Sequence, residues 1–313
     1  MVDLATTLVE MVDAAEWALF GKNGSDSTNL AVMIARAATG KQKIVKIRDG
    51  YHGASPWMQE KGRPGTISSD ADHVLTVEWN DLESFEELLV KNSQEIACFI
   101  SSPYNHPVFR DNELPKEGYW QKVSALCKQN DIVLIVDDVR AGFRINLAGS
   151  NVAYGFTPDL ICFGKAIANG YPLSALVGRG KLKEAAEEVY FTGTQFFSAP
   201  PMAAAKATLL ELKKSDAANK MNDYGKKLKS SLIKVADEFG YKFIVSGVAS
   251  MPYFRIAEVE TKVHFSWIDE CVKRGIYMLG YHNHFVSTAH SEEDLVTIVQ
   301  VAREAFTTLK KNI

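Results

Sequence analysis

Short hydrophobic runs alternate with amphipathic segments along the first two thirds of the chain. Consecutive or alternating apolar residues predict strands at 43–47, 74–77, 96–100, 132–136, 160–163 and 173–177. Helical spacing of apolar residues predicts helices at 2–15, 117–130 and 180–190. Two further helices are predicted with their caps, one from Ser25 or Asp26 to Gly40 and one that starts with Asp81 as its cap. This alternation predicts an α/β fold, with a mostly parallel central sheet and helices on both faces.

The last third of the chain has a different pattern. Residues 199–240 are mainly helical, and apolar segments at 243–246, 251–256 and 276–279 precede a final helix at 291–310. These elements predict a smaller C-terminal α+β domain. We place the boundary at 215, which gives a large domain of residues 1–214 and a small domain of residues 215–313.

The composition excludes several classes of protein. Of the 313 residues, 46% are hydrophobic and 23% charged, with a formal net charge of −3, which indicates a globular protein without a general attraction to nucleic acid. No apolar run reaches the roughly 18 residues of a membrane span, and the N-terminus lacks the pattern of a signal peptide. The four cysteines are far apart in sequence, so we expect no disulfide, no cysteine-built metal site and a cytoplasmic location.

A lysine stands at the exit of one predicted strand. Lys165 follows the run at 160–163 after a single glycine, and it either extends to the surface or reacts, for example as a Schiff-base amine. Asp137 directly follows the strand at 132–136, and Tyr51 lies in the loop after 43–47. Ligands bind at the carboxyl ends of parallel strands, so this convergence favours the reactive lysine.

Pyridoxal 5′-phosphate is a cofactor that needs this set of groups. A lysine amine holds it covalently, a carboxylate keeps its pyridine nitrogen protonated, and an aromatic ring stacks on its face. Its phosphate binds at a helix N-terminus, and the glycine-containing turn at residues 23–25 precedes a predicted helix.

Several segments, in order along the chain, resemble the class III aminotransferases, which have the type I fold of pyridoxal-phosphate enzymes. Residues 137–144 (DDVRAGFR) resemble the family's Asp-Glu-Val-x-x-Gly-Phe-Arg segment, and residues 163–172 (FGKAIANGYP) resemble its lysine segment. Residues 51–53 match its Tyr-His-Gly, and residues 23–25 resemble its Ser-Gly-Thr phosphate turn. Residues 285–294 (FVSTAHSEED) are similar to glutamate-1-semialdehyde aminomutase in particular.

The resemblance implies pyridoxal 5′-phosphate as the cofactor and a role for each matching residue. Lys165 is the Schiff-base lysine and Asp137 the partner of the pyridine nitrogen, while Tyr51 and Val139 lie on opposite faces of the ring. The other expected cofactor-binding residues of this chain are Asn23, Gly24, Ser25, His52 and Arg140.

The family also implies a homodimer with shared active sites. A threonine from the second subunit completes the phosphate site in this family. Thr194 is our first candidate for it, and Thr192 is the alternative because the spacing to Pro200 is one residue longer than expected.

Two arginines depart from the family pattern. Arg140 stands where many members have Gln or Met near the cofactor's phenolic oxygen. Its cation either stabilises the phenolate or meets a substrate carboxylate, or else it turns away and pairs with Asp138 or Asp111. Arg255 is the one candidate for the C-terminal arginine that binds an α-carboxylate in some members, and we expect it instead to be a solvated strand residue.

The start of the chain and its histidines are further points of difference. Family members usually carry a longer segment before the part that matches residues 2–15, so the chain is either a compact natural form, which the initial Met favours, or a truncated one. His282 and His284 have metal-ligand spacing, but His106 is not an evident third ligand, and we expect no metal.

The resemblance implies an aminotransferase that uses small amines or amino acids and keto substrates. The alternative is an isomerase with the same residues, either an aminomutase of the glutamate-1-semialdehyde type or an amino-acid racemase. A non-catalytic relic is disfavoured because Lys165 and Asp137 are intact. A dinucleotide-binding protein is disfavoured because no Gly-x-Gly-x-x-Gly follows the first strand.

Overall fold

The computed structural model describes residues 1–312 and divides them into two compact units. The first unit comprises Met1–Asn105 and Pro115–Ser215, and the second comprises His106–Leu114 and the chain from Asp216 onward. The segment 106–114 thus belongs to the second unit although its neighbours in sequence belong to the first, which no pattern in the sequence indicated.

Nine strands and ten α-helices form within residues 1–312. The strands β1 to β9 are Trp17–Gly21, Lys43–Ile47, Val74–Val77, Ile96–Ser101, Val133–Asp137, Leu160–Phe163, Ser174–Gly178, Phe243–Ser246 and Tyr253–Ile256. The helices α1 to α10 are Val2–Met11, Gly24–Thr39, Leu82–Asn92, Tyr119–Gln129, Ser150–Tyr154, Lys183–Glu188, Ala199–Lys214, Ala217–Glu238, Thr261–Lys273 and Glu292–Asn312. Short 3-10 turns lie at Pro56–Met58, Ser68–Ala71, Lys165–Ala168 and Gly180–Leu182.

The first unit contains a seven-stranded sheet in the order β1-β7-β6-β5-β4-β2-β3. The pairs from β3 to β6 are parallel, whereas β7 is antiparallel to both β6 and β1. The predicted strand at 173–177 therefore forms, and it alone opposes the other six. This confirms the mostly parallel α/β sheet. Because β1 runs in the same direction as β6, its carboxyl end lies at the same edge as those of β2, β5 and β6.

The helix α2 packs its apolar face on this sheet. Leu30, Ala31 and Ile34 belong to one buried cluster together with residues of β4, β5 and β6. All residues of β5 and β6 are buried, as continuous apolar runs predict for strands covered on both faces. Burial of each large aliphatic side chain contributes about 1.5–3 kcal/mol to folding, so this cluster fixes α2 against the strand ends.

The predicted cap of α2 is wrong. The helix begins at Gly24 with Asn23 as its N-cap, and not after Ser25 or Asp26. Asp26 is instead inside the first turn, where its carboxylate accepts the backbone N–H groups of Lys22 at 2.8 Å and Asn23 at 2.7 Å. These bonds fix the turn, and the first N–H groups of the helix have no acceptor inside it.

The second unit has its own core. Strands β8 and β9 form an antiparallel pair, and Phe243, Trp267 and Phe306 form an aromatic cluster with neighbouring ring centroids 5.2 Å apart. The apolar segment 276–279 forms neither strand nor helix, and its Leu279 N–H is donated to His284 Nε2 at 3.1 Å. Within residues 1–312, no helix is both long and apolar enough to cross a membrane.

Candidate active site

The predicted site residues of the first unit gather at the edge where β1, β2, β5 and β6 end. Asp137 is the last residue of β5, Lys165 follows β6 after one glycine, and Asn23 follows β1 after one lysine. His52 lies in the loop after β2. Six strands of common direction bring these distant segments together, because they present their carboxyl ends at one edge.

A buried carboxylate is at the centre of the cluster. Asp137 is 7% exposed, and its Oδ2 lies 2.7 Å from Nδ1 of His52 while its Oδ1 accepts the Val139 N–H at 3.2 Å. Burial alone would raise the pKa of Asp137, but His52, the Val139 N–H and the charge of Lys165 outweigh it and lower the pKa. The carboxylate is therefore ionised at neutral pH and available to a positively charged group.

Lys165 has an unusual backbone. Its φ is +45°, in the left-handed region that side chains other than glycine rarely adopt, which costs on the order of 1–3 kcal/mol. Burial lowers the pKa of its ammonium, Asp137 works against this, and Arg140 and Arg144 add repulsion that lowers it further. The side chain nevertheless keeps an exposed face. A strained, partly desolvated lysine next to an ionised carboxylate is typical of a functional amine.

Two glycines make close contact with Val139. A Cβ on Gly24 would lie 2.7 Å from Val139 Cγ1, and a Cβ on Gly164 would lie 3.1 Å from the same atom. Glycine at both positions therefore lets the helix start and the lysine segment approach one side chain. The structure thus brings the predicted residues Gly24 and Val139 together and adds Gly164, which the sequence did not single out.

The loop with His52 is joined to the start of α2. Ser25 Oγ accepts the Ala54 N–H at 3.2 Å, and Thr28 Oγ1 donates to the His52 carbonyl at 2.6 Å. Tyr51 is in the same loop, and its side chain is 65% exposed. The loop is therefore held at its His52 side, while the ring of Tyr51 keeps a free face.

Arg140 lies with its charge near Asp137. Its pKa is lowered by burial, and both Tyr104 and Asp137 raise it. One suggested partner, Asp138, accepts the Ser150 N–H at 2.9 Å and the Ser150 Oγ–H at 2.6 Å.

In the second unit, the other suggested partner of Arg140 is engaged elsewhere. Asp111 accepts from Arg255 Nε at 2.7 Å and from Arg255 Nη2 at 2.5 Å. The expectation that Arg255 is a solvated strand residue is therefore wrong, since it forms a half-buried bidentate ion pair.

Thr192 and Thr194 are both exposed in the irregular segment before α7. Among residues 1–312, no group of three or more His, Cys, Asp or Glu side chains is placed to hold a metal ion. His284, one of the histidines considered, accepts a backbone N–H through Nε2.

The arrangement fits pyridoxal phosphate in three observed respects. A buried ionised carboxylate, a lysine with a lowered pKa and the start of a helix lie at one edge of one sheet. Glycines at 24 and 164 bring the helix start and the lysine segment against Val139, the residue expected on one face of the ring. Lys46 and Glu60 line a small cavity beside His52 and were missed, because nothing local in sequence links them to that histidine.

The whole chain matches a known family model. Residues 1–312 match the model described as aminotransferase class III. The chain is 36% identical, over its full length and 74% of the relative, to an aminopentol aminotransferase of Sphingopyxis macrogoltabida. It is 29% identical, over 99% of its length and 78% of the relative, to a glutamate-1-semialdehyde 2,1-aminomutase of Methanosphaera stadtmanae.

A solved structure has a similar fold. The FumI protein of Sphingopyxis sp. MTA144, solved in its PLP internal aldimine form, is 36% identical to the chain and matches it with a TM-score of 0.96. The match covers the whole of this chain and 75% of that one.

Proposed function

The chain belongs to the class III aminotransferases, a family of pyridoxal-phosphate enzymes, and we propose that Lys165 is the residue through which it moves an amino group between an amino acid or amine and a keto acid or aldehyde. The observation that carries this proposal is the ionised, buried Asp137 bound to His52 beside a strained Lys165. Asp137 thus supplies a fixed negative charge close to the Lys165 amine, whose pKa is lowered.

The residues of this chain would divide the work as follows. The Lys165 amine would hold the cofactor as a Schiff base, Asp137 would keep its pyridine nitrogen protonated, and the first N–H groups of α2 at Gly24 and Ser25 would bind its phosphate. When bound, pyridoxal phosphate supplies the electron sink that stabilises a substrate carbon after it loses a proton. The residues that would flank or position the ring are Asn23, Tyr51, His52 and Val139.

Lys165 would also be the proton-moving group. Its lowered pKa favours the neutral amine, which can take a proton at Nζ from the substrate carbon. Two things separate transamination from isomerisation, namely the atom to which Nζ returns the proton and whether the product leaves the site.

Transamination and isomerisation are separated by a half-reaction with a panel of amines and amino acids. Release of a keto or aldehyde product together with the amine form of the cofactor supports the aminotransferase. The alternative isomerase is favoured by one observation, the 29% identity to a glutamate-1-semialdehyde aminomutase. Exchange of the Cα hydrogen with solvent deuterium, without a released keto product, would favour that alternative.

We propose that Arg140 acts at the cofactor or substrate. Its partly buried charge lies within electrostatic reach of Asp137 and Lys165. Arg140→Met is expected to shift the pKa of the cofactor's visible band and to raise the KM of carboxylate substrates. No change in either quantity would assign Arg140 to structure alone.

We propose a cytoplasmic homodimer with shared sites. The exposed Thr194, with Thr192 as the alternative, would complete the phosphate site of the partner subunit. All four cysteines are free and buried, which is typical of proteins from a reducing compartment. Sedimentation at increasing dilution tests the dimer, and full activity in a monomer would contradict it.

A further inference from the structure

A small polar cavity lies beside His52. It has a volume of about 50 Å³, and its lining includes Lys46, Gly50, His52, Gln59 and Glu60. Nε2 of His52 is buried and has no hydrogen-bond partner within residues 1–312, while Nδ1 of the same ring faces Asp137. A buried ring nitrogen without a partner is unfavourable, so the cavity is the place where Nε2 would find one.

A buried cation lines the same cavity. Lys46 is 3% exposed, and its Nζ donates to the Gly50 carbonyl at 2.7 Å and lies 3.3 Å from Glu60 Oε1. Glu60 Oε1 also accepts the Asp49 N–H at 2.6 Å. An ammonium has three N–H donors. One binds the Gly50 carbonyl in the loop before His52 and a second faces Glu60, so Nζ has a third donor to offer to an acceptor in the cavity.

The cavity is large enough for water. A water molecule needs about 10–15 Å³ of accessible volume and two or more polar partners. A water here would accept from Lys46 Nζ and donate to His52 Nε2. This arrangement uses the third lysine donor and the unpartnered ring nitrogen together.

We propose that Lys46 is a positioning residue that acts through cavity water on His52, so that Nε2 accepts from the water and Nδ1 donates to Asp137 Oδ2. The hydrogen bond at one ring nitrogen decides which nitrogen carries the proton, so the water at Nε2 would hold the ring as a donor to the carboxylate. This inference rests on the proposed function, since that carboxylate is the one that would face the pyridine nitrogen.

The first test is made without cofactor. NMR of ¹⁵N-histidine-labelled protein, with His52→Gln to assign the signal, is expected to show the His52 proton on Nδ1 and Nε2 as an acceptor. Lys46→Met should give a mixture in which part of the protein carries a proton on Nε2. A proton on Nε2 of the wild-type ring overturns the proposal without any need for a folded Lys46 variant.

A matched control lies on the same strand. Lys43 also forms an ion pair, with its Nζ 2.9 Å from Glu95 Oε2, but it is at the opposite end of β2 from His52. Lys43→Met removes a paired lysine from the same strand and is expected to leave the His52 signal unchanged. An equal change in both lysine variants would overturn the proposal, because it would show a general effect on β2.

The second test measures the dissociation constant of pyridoxal phosphate in a double-mutant cycle. Lys46→Met is expected to weaken binding about tenfold in the wild-type background, the typical size of a hydrogen bond to a charged group. In the His52→Gln background, the same change should have an effect within about twofold. Additive effects would assign Lys46 to structure alone and overturn the proposal. A wild-type protein that binds no pyridoxal phosphate would refute the proposed function instead, and the cofactor-free NMR test would still decide the role of Lys46.

Discussion

Replacing Asp137 by Asn removes one negative charge and nearly preserves the shape of the side chain. The Asn amide can accept from only one of the two groups that bind the carboxylate, the His52 Nδ1–H and the Val139 N–H. The lost bond costs about 1–3 kcal/mol, and relief from burying a charge offsets part of it. We therefore expect the variant to fold.

The loss of charge should act mainly on the reaction. Asp137 is 7% exposed, so its charge acts in surroundings less polar than water. Two opposite unit charges about 4 Å apart attract by about 4 kcal/mol at an effective dielectric constant of about 20. Since about 1.4 kcal/mol corresponds to a tenfold change in rate, Asp137→Asn should slow the half-reaction up to about 10³-fold.

The adjacent carboxylate supplies a matched control. Asp138 is 1% exposed and is bound by Ser150. Single-turnover absorbance with a reactive amine, at saturating cofactor, should show the large loss for Asp137→Asn and a loss of less than about tenfold for Asp138→Asn. Thermal denaturation of both variants checks that each is folded. If Asp137→Asn keeps its rate within tenfold, or if the two variants lose equal activity, Asp137 is not the charge that drives the reaction.

Three further predictions follow from packing and burial. A Cβ at Gly24 would lie 2.7 Å from Val139 Cγ1, so Gly24→Ala must displace the Val139 side chain. The dissociation constant of pyridoxal phosphate should rise about tenfold or more in this variant. Unchanged binding would contradict the close approach of Gly24 to Val139. Burial raises the pKa of Asp138 from 3.8 to about 6 despite the two bonds from Ser150, so its contribution to stability is complete below 3.8 and is lost as the pH rises through about 6. Between pH 3.8 and about 6, the free energy of unfolding of the wild type should therefore fall by up to about 3 kcal/mol relative to that of Asp138→Asn in urea titrations. The same pH dependence in the wild type and in the variant would refute this. All four cysteines are buried, and burial raises the pKa of Cys98 and Cys271 to about 12. A thiol reagent should therefore label the folded protein slowly and should label all four thiols once the protein is unfolded. One thiol that is labelled rapidly in the folded protein would be inconsistent with this burial.

Local pattern was sufficient for most elements of the first unit. The run at 132–136 predicted β5 within one residue, and Asp81 was correctly expected as a helix cap, since its carboxylate accepts the Ser84 N–H at 3.0 Å. Apolar runs do not encode direction, so the antiparallel course of Ser174–Gly178 was not predictable from its composition. The helix start was misplaced because Asn23, Ser25 and Asp26 are all good caps.

Residue type and position predict which residues form the candidate site, but they do not predict its contacts. Lys165 and Asp137 follow apolar runs and match ordered motifs, and the structure places both at one edge of the sheet. The bond between His52 and Asp137 joins residues 85 positions apart, and only the assembled sheet brings them together. Lys46 lies in an alternating segment, where a lysine is ordinarily solvent-facing, but the loop after β2 covers it.

Chemical trapping tests the role of Lys165 most directly. The purified protein, loaded with pyridoxal phosphate, is reduced with borohydride, digested and sequenced by mass spectrometry. We predict one modified lysine, Lys165, and a loss of modification in Lys165→Ala with the other lysines left unlabelled. A cofactor fixed on a different lysine, or a wild-type protein that takes up no pyridoxal phosphate, would contradict the assignment.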